Sequence, residues 1–371
     1  MGKNISSSII IKSYKAVLKK YKKIKFSRFI NKRLLFTVSF ILFLSASSVN
    51  AQTGSNAGSF SRLGFGSKGM SMGNAMVSNI FTDVSGYYNP ALSAFQKKGV
   101  VTLGYTFMSM DRHLNFLGFA KKFNLPGQTQ GGAGISFSVI NSGVTNIDGR
   151  DNDGSSLGNL TTSENQFYLA TSFLLSEQVS FGVGFKMYYS KLYAGVTTTA
   201  IAFDIGTIFN PKDNLSFGVS LRDLNAKYKW DTSTLYGSNG NTTEDKFPFL
   251  LSAGATLKLP KEKGSVSAQY NFEKVPAYTD RTTGISVDNK NQSYFSIGGE
   301  YLVSNQITLR AGLDRINPGS DDFAGNLKPS AGVGFLKDLS PSTSLGLDYS
   351  FQLEPYSKDP IQNLGLVFKF K

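Results

Sequence analysis

Apolar and polar residues alternate through most of the chain that follows Gly99. The last nine residues, NLGLVFKFK, show the pattern clearly, because Leu or Phe occupies positions 364, 366, 368 and 370. A period of two gives a β-strand one apolar and one polar face, whereas a helix repeats every three to four residues. No helical stripe of similar length follows residue 99. The pattern therefore predicts an all-β fold.

Fourteen alternating segments are predicted, separated by connections rich in Gly, Asn, Asp and Pro. Their bounds are 99–108, 113–123, 131–141, 164–175, 178–192, 198–210, 214–223, 247–259, 264–274, 292–303, 306–315, 329–338, 342–353 and 361–371. Short and long connections alternate, and the longest are 142–163, 224–246, 275–291 and 316–328. Outer-membrane barrels have short periplasmic turns and long extracellular loops, whereas a soluble β-sandwich has no reason to sort its loops by length. We therefore predict a transmembrane antiparallel β-barrel of about fourteen strands over residues 99–371.

The distribution of charge changes the picture at the N-terminus. The chain has a formal net charge of +14, which at first suggests a nucleic-acid partner. Residues 1–51, however, hold eleven Lys and Arg and no Asp or Glu, so the rest is nearly balanced and no nucleic acid is expected. The basic segment leads into Leu34–Leu44, an apolar stretch too short for a membrane-spanning helix. Residues 1–51 are therefore predicted to be a secretory signal peptide, and the outer membrane is the expected location.

Residues 52–98 precede the first strand and do not alternate. They are rich in Gly, Ser, Asn and Met, and they contain too many aromatic residues for a solvated tail. Eight-stranded barrels are filled by their own side chains, whereas barrels of sixteen strands leave an aqueous channel. Fourteen strands lie between these sizes. The segment is therefore expected to fold as a plug, or hatch, inside the lumen.

The segment GSKGMSMGNAMVSNIFTDVSGYYNPALSAF, residues 66–95, resembles the N-terminal segment of the FadL-like outer-membrane barrels. Within them it is most similar to the PorV/PorQ branch associated with type IX secretion. Further similarity covers 140–154 and 227–237, so the resemblance spans most of the mature chain. Tyr87 departs from the pattern, because many relatives have a smaller residue there. The resemblance assigns a hatch motif to Asn89, Pro90 and Ala91.

The last strand also resembles the β-signal that the bacterial barrel-assembly machinery reads. The matching positions are Asn363, Gly365, Phe368 and Phe370. The two phenylalanines are expected to face lipid on the strand that closes the barrel against the first strand and so removes the sheet edge.

The polar residues do not form a pattern that indicates a catalytic or cofactor site. Six charged residues on the polar strand faces are expected to form ion pairs in the lumen, since a charge facing lipid costs about 2–4 kcal/mol at the midplane. They are Lys186, Asp204, Arg222, Glu300, Arg310 and Asp348. His113 is the sole histidine and the chain has no cysteine, so neither an enzyme nor a cofactor is expected. The spacing of Asp148, Asp151 and Asp153 makes them a weak calcium candidate, and a solvated turn is the favoured reading.

Two functions from different classes remain open. In the first, which the PorV/PorQ resemblance implies, the chain is a non-enzymatic component of type IX secretion that carries or anchors exported proteins at the cell surface. In the second, it is a FadL-like transporter of hydrophobic small molecules, such as fatty acids or hydrocarbons. The inward faces consist mostly of Gly, Ser and charged residues, which favours the first. The expected partners are outer-membrane lipid and either secreted proteins or type IX secretion components.

Overall fold

The computed structural model describes residues 56–83, 86–125, 132–276, 278–279, 286–287, 291–319, 323–354 and 359–371. The predicted signal peptide and residues 52–55 lie outside these ranges.

Fourteen strands close into one antiparallel barrel, in which the last strand pairs with the first. The barrel strands are β1 Gly99–Phe107, β2 Arg112–Asn124, β3 Gly132–Arg150, β4 Ser156–Leu174, β5 Val179–Tyr193, β6 Val196–Lys212, β7 Leu215–Leu224, β10 Phe249–Lys258, β11 Gly264–Lys274, β14 Gln292–Leu302, β15 Ile307–Ile316, β16 Lys328–Ser340, β17 Thr343–Gln352 and β18 Ile361–Phe370. Each predicted segment overlaps one of these strands. The fold class and the number of strands are therefore confirmed.

The remaining elements are short. Two small hairpins are formed by β8 Lys227–Asp231 with β9 Thr242–Lys246 and by β12 Tyr278–Thr279 with β13 Ser286–Val287. The α-helices are α1 Gly66–Ser71, α2 Ser233–Tyr236 and α3 Phe323–Asn326, and the 3-10 helices are Ser59–Arg62, Pro90–Phe95, Gly237–Asn239 and Pro260–Glu262. Within the described ranges, no helix has the length and apolar character needed to cross a membrane.

Alternation places apolar side chains on the outside of the barrel. On β18, Leu364, Leu366 and Phe368 are 39–47% exposed, whereas Asn363 is fully buried on the inner face. Large apolar side chains are exposed in the same way along the other strands. An apolar outer surface of this kind is what lipid requires of a barrel.

The connections sort to the two ends of the barrel. The end that contains the β4–β5, β6–β7 and β14–β15 turns is called the short-turn end, and the opposite end is called the long-loop end. The prediction of a loop over 142–163 was wrong, because β3 and β4 continue as a paired hairpin to a turn at 151–155. Residues near the tip of this hairpin are exposed on both faces, so they lack the apolar alternation on which the prediction relied.

Candidate functional site

The N-terminal segment lies inside the barrel and is called the hatch below; it comprises residues 56–83 and 86–98. It hydrogen-bonds to opposite parts of the wall: the Val77 N–H donates to Gln269 Oε1 at 2.9 Å, and the Gly86 N–H donates to Ser136 Oγ at 2.8 Å. Most of its large apolar side chains are buried, including Phe60, Phe65, Met70, Met72, Met76, Tyr87 and Tyr88. The hatch therefore contributes much of the apolar core inside the barrel.

Asn89 connects two parts of the hatch to the barrel wall. Its Oδ1 accepts a hydrogen bond from the Ala91 N–H at 3.0 Å and so caps the 3-10 helix Pro90–Phe95. Its Nδ2 lies 2.9 Å from the Val77 carbonyl oxygen, within the hatch. The same nitrogen lies 3.2 Å from the carbonyl oxygens of Thr207 on β6 and Val219 on β7. Pro90 follows at the first helical position, where no N–H is needed.

Inward-facing glycines let the hatch backbone lie directly against the strands. The glycine seat, as we call it, consists of Gly134, Gly182, Gly206 and Gly218. A Cβ added to Gly182 would lie 2.5 Å from the Ala91 nitrogen, and one added to Gly206 would overlap Asn89 Oδ1. Beside them, Ser180 Oγ donates to the Ala91 carbonyl at 3.0 Å. Small inward residues therefore accommodate the hatch, and they do not by themselves indicate a polar channel.

Two of the β-signal positions also contact the hatch. Ser67 on α1 hydrogen-bonds to Asn363 Oδ1, and Asn363 Nδ2 donates to Thr106 Oγ1 on β1 at 2.6 Å. A Cβ on Gly365 would lie 2.8 Å from Ser67 Oγ. Phe368 and Phe370 lie on the outer face, where their rings stack at 6.0 Å. The inward-facing β-signal residues Asn363 and Gly365 thus contact the hatch, whereas Phe368 and Phe370 lie on the outer surface of the barrel.

Lys186 lies at the centre of a buried charge cluster. Its Nζ is 2.9 Å from Asp204 Oδ2 and 2.8 Å from Asp223 Oδ1, and Tyr188 donates to Asp223 at 2.7 Å. Asp223 was not among the predicted lumenal charges, because simple alternation places it on the outer face. A register shift between β6 and β7 and a positive φ of 61° turn it inward.

Among the residues that the structure describes, no carboxylate lies within ion-pair distance of Arg222, which therefore lacks the expected ion pair. Its Nη1 instead donates to the Tyr87 carbonyl at 3.2 Å, and its guanidinium lies 5.4 Å from the centre of the Tyr87 ring. The two nearby carboxylates, those of Asp204 and the inward-facing Asp223, both pair with Lys186 instead. Arg222 therefore holds the hatch instead of another strand.

The other three predicted charges form one cluster on β14, β15 and β17. Arg310 lies between Glu300, at 3.4 Å, and Asp348, at 2.7 Å, and all three are buried. The hatch adds a separate ion pair, because Arg62 Nε lies 3.4 Å from Glu273 Oε1 on β11. Buried ion pairs therefore connect strands to one another and the hatch to the wall.

A column of aromatic rings runs beside the Lys186 cluster and shares Tyr188 with it. It begins at Trp230 on β8, continues through Tyr228, Phe247 and Tyr188, and ends at Phe60 on the hatch. Successive ring centres lie 5.3, 4.8, 4.7 and 6.1 Å apart. We call these five residues the aromatic column. It joins the long-loop end to the hatch. The sequence does not predict it, because its members come from separate segments that show no common pattern.

Asp83 ties the end of the hatch to the closing strand. Its carboxylate forms an ion pair with Lys369 on β18. Burial acts to raise the pKa of Asp83, but the positive charges of Lys369 and Lys68 outweigh it and hold the pKa below its usual range. The Asp83 carboxylate is therefore ionised at neutral pH.

The weak calcium candidate is not assembled as a metal site. Asp148 pairs with Arg150 at 3.0 Å, and Asp151 accepts hydrogen bonds from the Asp153 and Ser155 N–H groups at 3.1 and 3.2 Å. In the part of the chain that the structure describes, no group of three or more His, Cys, Asp or Glu could hold a metal ion. His113 lies on the long-loop half of β2, paired with Gly143 of β3.

No protein-family model matches the chain, nor does any curated protein. Among solved structures, the Pseudomonas putida toluene transporter TodX is similar, with a TM-score of 0.54 at 13% identity over 83% of this chain and 97% of that one. A Pseudomonas aeruginosa FadL homologue gives 0.52 at 14% identity over 82% and 97%. The fold is that of the FadL-like outer-membrane channels. At this identity the likeness establishes a FadL-like outer-membrane barrel, and it does not bear on the PorV/PorQ branch.

Proposed function

We propose that this FadL-like barrel is a non-enzymatic channel that carries hydrophobic small molecules across the outer membrane. The aromatic column supports the proposal, because its rings contact one another in series from the long-loop end to the hatch. Two similar structures are described as a toluene transporter and a monoaromatic hydrocarbon channel. An aromatic column of this kind suits flat, apolar solutes, which interact favourably with aromatic rings in stacked or edge-to-face arrangements.

The aromatic column has one end at the long-loop end of the barrel and the other at the hatch. Trp230 is partly exposed on the β8–β9 hairpin, where its Nε1 donates to Asp245 at 2.9 Å, and Phe60 at the other end belongs to the hatch. A solute that enters along the column therefore arrives at the 3-10 helix Ser59–Arg62 of the hatch. Passage requires the hatch to move, because it packs directly against the strands.

A charge placed in the column tests the proposal. We expect Phe247→Asp to reduce toluene uptake by about tenfold or more, because a carboxylate has to be desolvated by each passing solute. The matched control is Tyr236→Asp, which places the same charge on an exposed aromatic of α2 outside the column. Uptake is measured in cells that depend on the protein, and heat-dependent gel migration checks that each barrel is folded. Equal uptake by the two folded variants would refute the proposal.

A second candidate, the type IX secretion role, is favoured by the β3–β4 hairpin. Both strands have nineteen residues, whereas β1 has nine and β18 has ten, so the hairpin projects far beyond the seam at the long-loop end. A projecting hairpin is a plausible contact for an exported protein. Replacing residues 145–161 with a short turn tests this role. Retention of exported proteins in the periplasm of the variant would support it, and normal secretion with a folded barrel would refute it.

A further inference from the structure

Two lysines face outward from the barrel close to the short-turn end. Lys121 on β2 follows Phe119 and precedes Phe123 on the outer face of the strand, and Lys337 on β16 lies between Phe335 and Leu339 in the same way. The opposite arc of the barrel differs, because its outward positions at this depth include the apolar residues Phe173, Phe181, Phe209 and Phe217. Outward-facing cations are thus found beside the seam between β18 and β1.

The strand register defines the surface between these lysines. One row of cross-strand partners runs across five strands and consists of Phe119, Val101, Phe368, Leu345 and Lys337. Lys121 lies one outward position further along β2, and its Nζ is 5.0 Å from the centre of the Phe370 ring. Because neighbouring strands are about 4.8 Å apart, the two lysines lie about 19 Å apart across an apolar platform.

The outward lysines of this platform are not paired with carboxylates. In the described residues, no carboxylate lies within ion-pair distance of Lys121 or Lys337, and exposed Lys371 adds a third cation at the end of β18. The nearest acidic residue in sequence, Asp338, accepts a hydrogen bond from the inward-facing Ser344 instead. A lysine on the lipid face is inexpensive only near the interface, where its ammonium can extend to the headgroups. The lysines therefore mark the depth of lipid phosphates.

We propose that the outer surface of β16, β17, β18, β1 and β2 binds anionic phospholipids of the periplasmic leaflet. The phosphates contact Lys121, Lys337 and Lys371, and the acyl chains lie over the apolar row that contains Phe368. An acidic soluble protein fits less well, because the cations are flanked along their strands by side chains that face lipid. The platform crosses the seam, so a bound lipid contacts the first and last strands together.

Native mass spectrometry of the folded protein tests this site. The protein is exchanged into micelles that contain phosphatidylglycerol and phosphatidylcholine with the same acyl chains, and the ratio of the two bound lipids is counted. Wild type is expected to bind more phosphatidylglycerol than phosphatidylcholine. In K121Q/K337Q the ratio of the two bound lipids is expected to fall about tenfold, since each lysine near an anionic headgroup contributes substantially to binding. The control K212Q/K263Q removes the same charge from exposed lysines at the same end, away from the seam.

Three results would overturn the proposal. Wild type could bind both lipids equally, which would leave an acidic protein as the better partner for the lysines. K121Q/K337Q could keep the preference of wild type. The control could lose as much preference as K121Q/K337Q, which would show general attraction to the basic end. None of these results depends on hydrophobic transport, so the lipid site and the transport proposal can fail separately.

Discussion

Replacing Asn89 with Ala removes the side chain that connects the hatch to β6 and β7. The change eliminates the helix cap at Ala91 and the two amide donors shared by the carbonyls of Val77, Thr207 and Val219. Each buried hydrogen bond contributes about 0.5–1.5 kcal/mol net, and loss of an N-cap costs about 1 kcal/mol. We therefore expect the docked hatch to lose about 3 kcal/mol relative to the released hatch. Because 1.4 kcal/mol is a factor of ten, the released population should rise about 100-fold.

Hydrogen exchange measures this change directly. Backbone amides of the hatch motif exchange when the hatch leaves its place. The Leu92 N–H donates to the backbone carbonyl of residue 89, which the substitution keeps, so its protection should fall about 100-fold in Asn89→Ala. The control is Ser93→Ala, which removes one hydrogen bond to Ser172 at 2.8 Å and one to the Pro90 carbonyl within the hatch at 3.3 Å. Only the first joins the hatch to the wall, so protection should fall only about fivefold. Peptides from β7 report whether the barrel stays intact. If Asn89→Ala changes hatch exchange no more than Ser93→Ala, the assigned role of Asn89 is wrong.

Three further predictions concern the hatch and the seam. Gly206→Val should raise conductance in planar bilayers, because its side chain overlaps the hatch, whereas Gly299→Ala, with 3.6 Å to its nearest neighbour, should not. Phe370→Asp should reduce outer-membrane assembly severalfold, because it places a carboxylate on the outer face of the closing strand, while Lys371→Asp should have little effect. Heat-dependent gel migration measures the assembled barrel. Acid should loosen the hatch: a carboxyl with a lowered pKa stabilises at neutral pH, and that stability is lost as pH falls through the lowered value. Asp83→Asn should remove this step from proteolysis of the hatch.

Each of these predictions has a clear contrary result. Identical conductance for the two glycine variants would place the hatch outside the conducting path. Equal assembly of the two C-terminal variants would show that the outer face of the last strand is not recognised. A pH-dependent step that persists in Asp83→Asn would assign it to another group.

The fold could be predicted because lipid imposes one rule on every strand. A strand that faces lipid has to be apolar at its outward positions within the hydrocarbon region, so the alternation from β1 to β18 appears in the sequence without reference to other strands. The tip of the β3–β4 hairpin escaped prediction for the converse reason, because solvent on both faces imposes no such rule. The alternation within a strand was thus sufficient to predict it wherever one face of the strand contacts lipid and the other faces the lumen.

The candidate site was less predictable because its contacts join distant segments. The inward position of Asp223 depends on a register shift between two strands, which alternation within β7 does not reveal. The aromatic column combines a hatch residue with residues from β5, β8 and the segment before β10. The small inward residues of the strands were noticed, yet their purpose became clear only when Gly182 and Gly206 were seen against the hatch.

The position of the hatch ahead of the barrel strands in the chain has a consequence for the order of assembly. Its Ser67 hydrogen-bonds to Asn363, 296 residues further on, in the strand that closes the barrel. Contacts over such distances form late, because the intervening chain has to be ordered first. The segment that precedes the barrel strands in the chain is therefore among the last to reach its final place. Strand closure and hatch docking share Asn363, so a chain that fails to close also lacks the hydrogen bond between Ser67 and Asn363.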